Sequence, residues 1–68
     1  MKKPAIYNRY PTEYPTLDTA ERIYYQRIGT QVPTIPLRLR PAIIYGPNDG
    51  YMVVDLGWAL REGFTPIR

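Results

Sequence analysis

Hydrophobic residues recur at helical spacing over residues 17–28, and this spacing predicts an amphipathic α-helix. The apolar stripe consists of Leu17, Ala20, Ile23, Tyr24 and Ile28. Asp18 and Glu21 have the spacing of an N-terminal capping box, with Thr16 as a competing N-cap. Gly29 is the residue type that most often follows the last helical turn, so we expect the helix to end before it.

A second pattern, the alternation typical of β-strands, predicts a β-hairpin over about residues 37–56. Residues 37–40 alternate strictly between leucine and arginine, and residues 42–45 continue as a more apolar run. Residues 46–50 are rich in the glycine, proline, asparagine and aspartate of turns. Residues 51–56 then return as the second strand, which gives a hairpin with a loop of about five residues.

The two ends of the chain have no core-forming pattern and are expected to be extended. Residues 1–16 contain three prolines, which fix φ and push each preceding residue toward extended geometry. Near the other end, residues 58–62 predict one helical turn that Gly63 closes, and residues 64–68 form an extended C-terminal tail. The expected fold is a small single α+β domain over residues 17–68, with one α-helix and a β-hairpin, preceded by a Pro/Tyr-rich N-terminal docking arm.

A lone two-stranded hairpin is marginally stable in water, so the sequence also predicts how this hairpin is covered. We expect the helix to pack on the hairpin face that carries Met52, Val54 and Leu56, with Trp58 closing one end. Further strand pairing is expected from the arm, from residues 30–36 or from a second copy of the chain.

Composition bears on function mainly through the residue types that are missing. The chain of 68 residues has no Cys, His or Ser, so the usual nucleophilic triads and dyads cannot be assembled. The missing Cys and His also exclude disulfides and remove the preferred ligands of structural zinc. Asp55 and Glu62 remain as a candidate acid–base pair, but a chain of this size has little room for a substrate cleft. We therefore expect a protein that is not an enzyme and has no cofactor or metal.

The tyrosines of the arm are the first candidate partner-binding residues. Tyr7, Tyr10 and Tyr14 lie with Arg9 in a proline-stiffened segment, and Tyr25 lies beside the apolar stripe of the helix. In one interpretation the arm folds back and its tyrosines cover the domain's own core. In the other the arm docks on a partner, because a stiff segment loses little entropy and tyrosine is an efficient anchor. The sequence leaves both interpretations open.

Two arginines and the turn are further candidates. Arg38 and Arg40 project from one face of the predicted edge strand, where they either protect a solvated edge or meet an acidic protein or phosphate surface.

Residues 46–50 have the turn-forming composition of some phosphate and calcium loops. They lack the Gly-Lys-Ser/Thr ending of a phosphate loop and the row of carboxylates of a calcium loop, so a plain hairpin turn is favoured.

These patterns favour a non-enzymatic structural or adaptor protein that docks on or within a larger protein assembly, or forms a homo-oligomer. A cement, connector or accessory subunit, for instance of a virus particle, fits that description by analogy. One alternative is a small nucleic-acid-binding module that uses Tyr and Arg contacts, although the net charge of +3 is modest and its basic residues are spread. A further alternative is a small protein inhibitor of a host enzyme.

The expected location follows from the absence of long apolar runs. The longest runs are far too short to span a bilayer, so we expect no membrane partner. Residues 1–3 look like a basic n-region, but residues 4–10 are not the apolar h-region of a secretion signal. A cytoplasmic or virion-associated location is the expectation.

Overall fold

The computed structural model describes residues 9–30 and 35–68, which form a small mixed α+β domain. Helix α1 spans Leu17–Thr30, a 3₁₀ turn spans Leu37–Leu39, strands β1 and β2 span Pro41–Tyr45 and Tyr51–Asp55, and helix α2 spans Leu56–Arg61. The α+β class, the long helix and the hairpin are confirmed.

The β-hairpin is the central layer of the domain. The strands pair antiparallel from Pro41↔Asp55 to Tyr45↔Tyr51, with residues 46–50 as the predicted loop. Because successive strand residues point to opposite faces, the hairpin has two faces, and both are covered. Ile43 and Val53 pack with Ala20 of α1, whereas the opposite face packs against α2. The residues of that second cluster are Ile44, Met52, Val54, Trp58 and Ala59.

The prediction for the packing of the long helix is wrong. Helix α1 lies on the Ile43 and Val53 face, and α2 covers the face that carries Met52 and Val54. Leu56 is the first residue of α2 and not the end of a strand. The reason is that β2 runs into α2 without a linker. Helix α2 therefore folds back on the face that carries Met52 and Val54, and α1 is excluded from that face.

The strand predicted for residues 37–40 is also wrong. Residues Leu37–Leu39 form the 3₁₀ turn, in which the N–H of Arg40 donates to the carbonyl of Leu37 at 3.1 Å. The hairpin partner of Pro41 is Asp55, and the chain enters α2 directly afterwards. No part of β2 therefore lies opposite residues 37–40 to pair with them. The Arg40 carbonyl instead accepts from the first amide of α2, that of Leu56, at 2.8 Å.

At its start α1 uses the second of the two predicted N-caps, and at its end it runs past the predicted stop. Thr16 is the N-cap, since its Oγ1 accepts from the amide of Thr19 at 3.3 Å. Asp18 lies 3.5 Å from Arg22, and Glu21 reaches across to Arg68 at 2.6 Å, so neither forms the capping box. At the other end α1 continues through the predicted stop to Thr30, whose hydroxyl donates to a carbonyl of the last turn at 3.0 Å.

Helix α2 confirms the predicted helical turn and its glycine stop, although it begins two residues earlier. Gly63 has a φ of 86°, a left-handed conformation that glycine adopts without steric cost. Its N–H donates to the carbonyl of Leu60 at 3.2 Å, and the N–H of Phe64 donates to that of Ala59 at 2.8 Å. These two bonds form a Schellman motif, which satisfies the last carbonyls of the helix.

Both edges of the hairpin are paired by the ends of the chain. Tyr14 and Tyr51 exchange two backbone hydrogen bonds of 2.7 Å, so the predicted pairing by the arm is confirmed on the β2 edge. On the β1 edge, Ile43 accepts from Ile67 at 2.7 Å and donates to Arg68 at 3.3 Å. The tail therefore closes the second edge, which the sequence pattern did not indicate.

Candidate docking surfaces

The arm segment, residues 9–15, lies in a groove of its own domain. The Tyr10 hydroxyl accepts from the amide of Asp55 at 3.1 Å, and its ring meets Trp58 edge-on, with 4.8 Å between the ring centroids. Tyr14 is held by the backbone bridge to Tyr51. Both arm tyrosines are half-buried by the chain's own atoms. These are the contacts of an arm that folds back on its own domain, and a role in binding a partner stays a prediction.

The hairpin loop holds a carboxylate of the same chain. Oε2 of Glu13 accepts from the amides of Asn48 at 3.1 Å and Gly50 at 2.8 Å. A Cβ at Gly46 would lie 2.5 Å from Cδ of Glu13, and one at Gly50 would lie 2.6 Å from its Oε2. Residues 46–50 are the predicted hairpin turn, and their backbone also forms a cradle for an anionic group. Sequence reasoning did not single out Glu13.

Arg9 lies at the N-terminal end of the described arm and contacts the end of β2. Its Nη2 is 3.7 Å from Oδ2 of Asp55, and its guanidinium is 5.7 Å from the centroid of the Tyr10 ring. The hydrogen bond with Tyr10 raises the pKa of Arg9 above its ordinary value, and Asp55 acts in the same direction. Arg9 is thus ion-paired with Asp55 and packed near the ring of Tyr10.

The remaining tyrosine candidates are Tyr7 and Tyr25. Tyr7 falls outside the described residues. Tyr25 is exposed on α1, next to the ring of Tyr24 at 5.2 Å and on the same helical face as the exposed Ile28. Arg38 and Arg40, the other predicted site residues, lie in the 3₁₀ turn and at its C-cap.

The arginines divide into two groups by their partners. All seven lie within the described residues, and Arg9, Arg22 and Arg68 each lie within 4.0 Å of a carboxylate. Arg27 donates to the carbonyl of Val53 at 3.5 Å. The other three have no ion pair within the described residues, and all three come from the 3₁₀ turn region and the end of α2. They are Arg38, Arg40 and Arg61.

Close packing of α2 on the 3₁₀ turn places the elements that carry these arginines side by side. A Cβ at Gly57 would lie 2.6 Å from Cβ of Arg38, so the two backbones are in direct contact. Leu60 and Arg61 follow Gly57 by three and four positions and share its helical face. Three leucines of this region are exposed, by 66% at Leu37, 59% at Leu60 and 42% at Leu39. We call the surface formed by Leu37, Arg38, Leu39, Arg40, Leu60 and Arg61 the Leu/Arg patch.

The chemistry of the patch is that of binding. Guanidinium groups recognise carboxylate and phosphate through paired hydrogen bonds, and burial of exposed leucines under a partner is favourable.

Two shallow clefts of about 330 and 240 Å³ flank the docked arm, and both are lined by arm residues. Within the described residues no three acidic side chains converge as a possible metal site. Nor does either described helix combine the length and apolar character needed to cross a membrane.

Comparison with known proteins finds no matching family model, no matching curated protein and no matching solved structure. The sequence singled out Arg38 and Arg40 from their alternation with leucine. It missed Leu60 and Arg61, because their place beside the 3₁₀ turn depends on how α2 folds back over the hairpin.

Proposed function

We propose that this protein is a non-enzymatic structural or adaptor protein that docks on a larger protein assembly through the Leu/Arg patch. The observation that supports this proposal is the close packing of α2 on the 3₁₀ turn. These two neighbouring elements and the C-cap carry Arg38, Arg40 and Arg61, which lack ion-pair partners within the described residues, and three leucines that are exposed by 42–66%. Exposed apolar side chains grouped in one region mark interaction sites in small proteins.

The mixture of side chains favours a protein partner over a nucleic acid. Binding to single strands needs aromatic rings on which bases stack, together with concentrated positive charge. The patch has leucines instead of aromatic rings, and Tyr10 of the arm is packed on Trp58. An apolar centre with charged groups at its border is the usual anatomy of a protein interface. The complementary partner surface is apolar with acidic groups around it, since opposite charges steer the encounter and fix the register.

This surface suits a small subunit that is ordered by its neighbours, such as a cement, connector or accessory subunit of a particle. A cytoplasmic or virion-associated location is part of the same proposal. The single-site test is a pair of matched charge reversals on exposed arginines. Arg61→Glu changes the patch, whereas Arg22→Glu makes the same charge change on α1, where the side chain is 80% exposed.

The experiment isolates the tagged full chain from its native source and measures the mass of the intact complex. We expect the wild type and Arg22→Glu to retain one multi-copy assembly with a fixed copy number, and Arg61→Glu to lose it. Circular dichroism of each purified variant shows that the loss is not a loss of fold. Equal retention by both variants contradicts the proposal. A one-to-one complex with a soluble enzyme would instead indicate the inhibitor function.

Direct titration tests the nucleic-acid alternative. Fluorescence anisotropy with labelled single- and double-stranded oligonucleotides at low salt is expected to show no binding that depends on the patch. Binding whose log affinity falls linearly with log salt, and which Arg61→Glu weakens more than Arg22→Glu, would replace the protein-docking proposal with nucleic-acid binding.

A further inference from the structure

The groove that holds residues 9–15 is formed by residues that every copy of the chain presents. We infer that the arm is exchanged between copies, so that the arm segment of one chain occupies the groove of a second. The partner named here is therefore a second copy of this chain. The arm is held by Asp55, Trp58, Tyr51 and the hairpin loop, none of which belongs to the Leu/Arg patch.

Three anchors along the arm define what the groove recognises. Tyr10 provides a ring for Trp58 and an acceptor for the Asp55 amide, at 4.8 Å and 3.1 Å. Three residues later, the carboxylate of Glu13 enters the loop cradle. The groove thus selects an extended segment with an aromatic hydroxyl, a carboxylate three positions on, and a free backbone edge directly after it.

The backbone edge is the third anchor. Tyr14 pairs with Tyr51 through two bonds of 2.7 Å, which is a single step of strand addition to β2. The bonds of the arm join it to residues 35 to 45 positions further along the chain. All of these contacts can form equally between chains, because an identical element meets an identical groove.

The hinge between arm and domain favours exchange. Residues Pro15 and Thr16 separate the Tyr14 bridge from Leu17, the first residue of α1, and the chain bends at both. Pro15 fixes its own φ and biases the preceding residue toward extended geometry. A short, bent hinge favours exchange between copies, because straightening it removes the bend and directs the arm away from its own domain.

The exchanged form has a predicted geometry and concentration dependence. Three peptide steps from Tyr14 to Leu17 span at most about 11 Å, so the two domains of an exchanged dimer lie side by side at their hinges. The chain's own arm competes with the arm of another copy at an effective concentration of about 1 mM or above. The exchanged dimer therefore becomes populated when the chain concentration approaches this value. Undocking uncovers Trp58 and the β2 edge, so recapture by another copy restores the same contacts.

The chain has no Cys, so single-cysteine variants report exchange directly. Residues of a hydrogen-bonded antiparallel pair have Cα atoms about 5.5 Å apart, a separation that a disulfide can bridge. Tyr14→Cys and Tyr51→Cys chains are mixed, refolded from denaturant at increasing concentration, oxidised and analysed by non-reducing mass spectrometry. Their cross-linked heterodimer forms efficiently where the arm of one copy lies in the groove of the other.

The control mixes Tyr25→Cys with Tyr51→Cys, because Tyr25 is exposed on α1 and measures disulfides formed by random collision. We expect the Tyr14–Tyr51 heterodimer to exceed this control several-fold and to increase with chain concentration. A yield equal to the control at every concentration overturns the inference.

A second measurement uses the unmodified chain, in case a cysteine variant does not fold. Isotopically labelled and unlabelled wild-type copies are refolded together at about 1 mM, the effective concentration given above. Nuclear Overhauser contacts between Tyr10 of one isotope class and Trp58 of the other support exchange. A purely monomeric sample, or a dimer without these contacts, counts against it. Neither result bears on the patch variants, so failure here is distinguishable from failure of the docking proposal.

Discussion

The carboxylate of Glu13 accepts a hydrogen bond of 2.8 Å from the amide of Gly50, 37 residues further along the chain. The turn that joins β1 and β2 therefore also binds the arm. Hydrogen bonds to a charged group contribute about 1.5–3 kcal/mol, more than neutral ones. This contact thus couples the hairpin loop to the position of every other arm residue.

The first prediction tests this carboxylate. Glu13→Gln keeps the shape of the side chain but removes the charge, so we expect a loss of about 1–2 kcal/mol in the free energy of unfolding. Urea denaturation measures the loss, and hydrogen exchange of the Tyr51 amide reports release of the arm. Glu62→Gln is the matched control on an exposed carboxylate, and an equal loss in both variants contradicts the contact.

A second prediction concerns two Gly→Ala changes with opposite signs. Gly50→Ala places a methyl group 2.6 Å from Oε2 of Glu13 and from the carbonyl of Tyr14, so we expect destabilisation by about 1–3 kcal/mol. Gly29→Ala meets nothing within 4 Å inside α1, so we expect stabilisation by about 0.5–1 kcal/mol from helix propensity. Thermal unfolding of both variants measures the pair. Shifts of the same sign refute the assigned packing.

A third prediction separates the two contacts of Tyr10. Tyr10→Phe removes the acceptor of the Asp55 amide but keeps the ring on Trp58, so we expect a loss of about 1 kcal/mol. Tyr10→Ala removes both and uncovers Trp58, which also stacks on Phe64 with 5.5 Å between the centroids. Since the chain has one tryptophan, its emission is expected to shift to longer wavelength in Tyr10→Ala and to stay unchanged in Tyr10→Phe. Matching spectra for the two variants would show that Tyr10 does not cover the indole.

A fourth prediction links the fold to the Leu/Arg patch. Gly57→Ala drives a methyl group into Arg38 and separates α2 from the 3₁₀ turn, so we expect destabilisation by about 1–3 kcal/mol and loss of the docked assembly. Arg38→Ala in the same background is not expected to relieve the clash, because alanine keeps the Cβ, and the Cα and carbonyl oxygen of residue 38 also lie 3.1 Å away. Unfolding measurements and the intact-complex mass test both effects. A Gly57→Ala protein of wild-type stability contradicts the direct packing.

The predictions from sequence that were confirmed depend on the conformational preferences of a few neighbouring residues. Residues 46–50 form the predicted loop because their turn preferences do not depend on the rest of the chain. Gly63 ends α2 for the same reason, since a left-handed residue is needed there whatever surrounds it. At the start of α1, two local caps competed, and Thr16 prevailed because Glu21 is drawn to Arg68 across the domain.

Apart from the helix stop predicted at Gly29, the wrong predictions concern contacts between distant segments. Residues 37–40 have a strand pattern but no strand opposite them, so they form a 3₁₀ turn under α2. Helix α2 packs closely on the 3₁₀ turn because Gly57 leaves room for the backbone of Arg38. The sequence indicated the apolar stripe of α1 and the apolar positions of the hairpin, but not which hairpin face α1 covers.

The sequence by itself determined the classes of element, the turn, the helix stop and a residue inventory without Cys, His or Ser. These follow from backbone preferences and composition, which act over a few residues. Only the tertiary structure decided which helix covers which hairpin face, that Glu13 binds the hairpin loop, and that α2 packs on the 3₁₀ turn. Those outcomes depend on steric exclusion and on hydrogen bonds between residues far apart in the chain, and no local pattern encodes either.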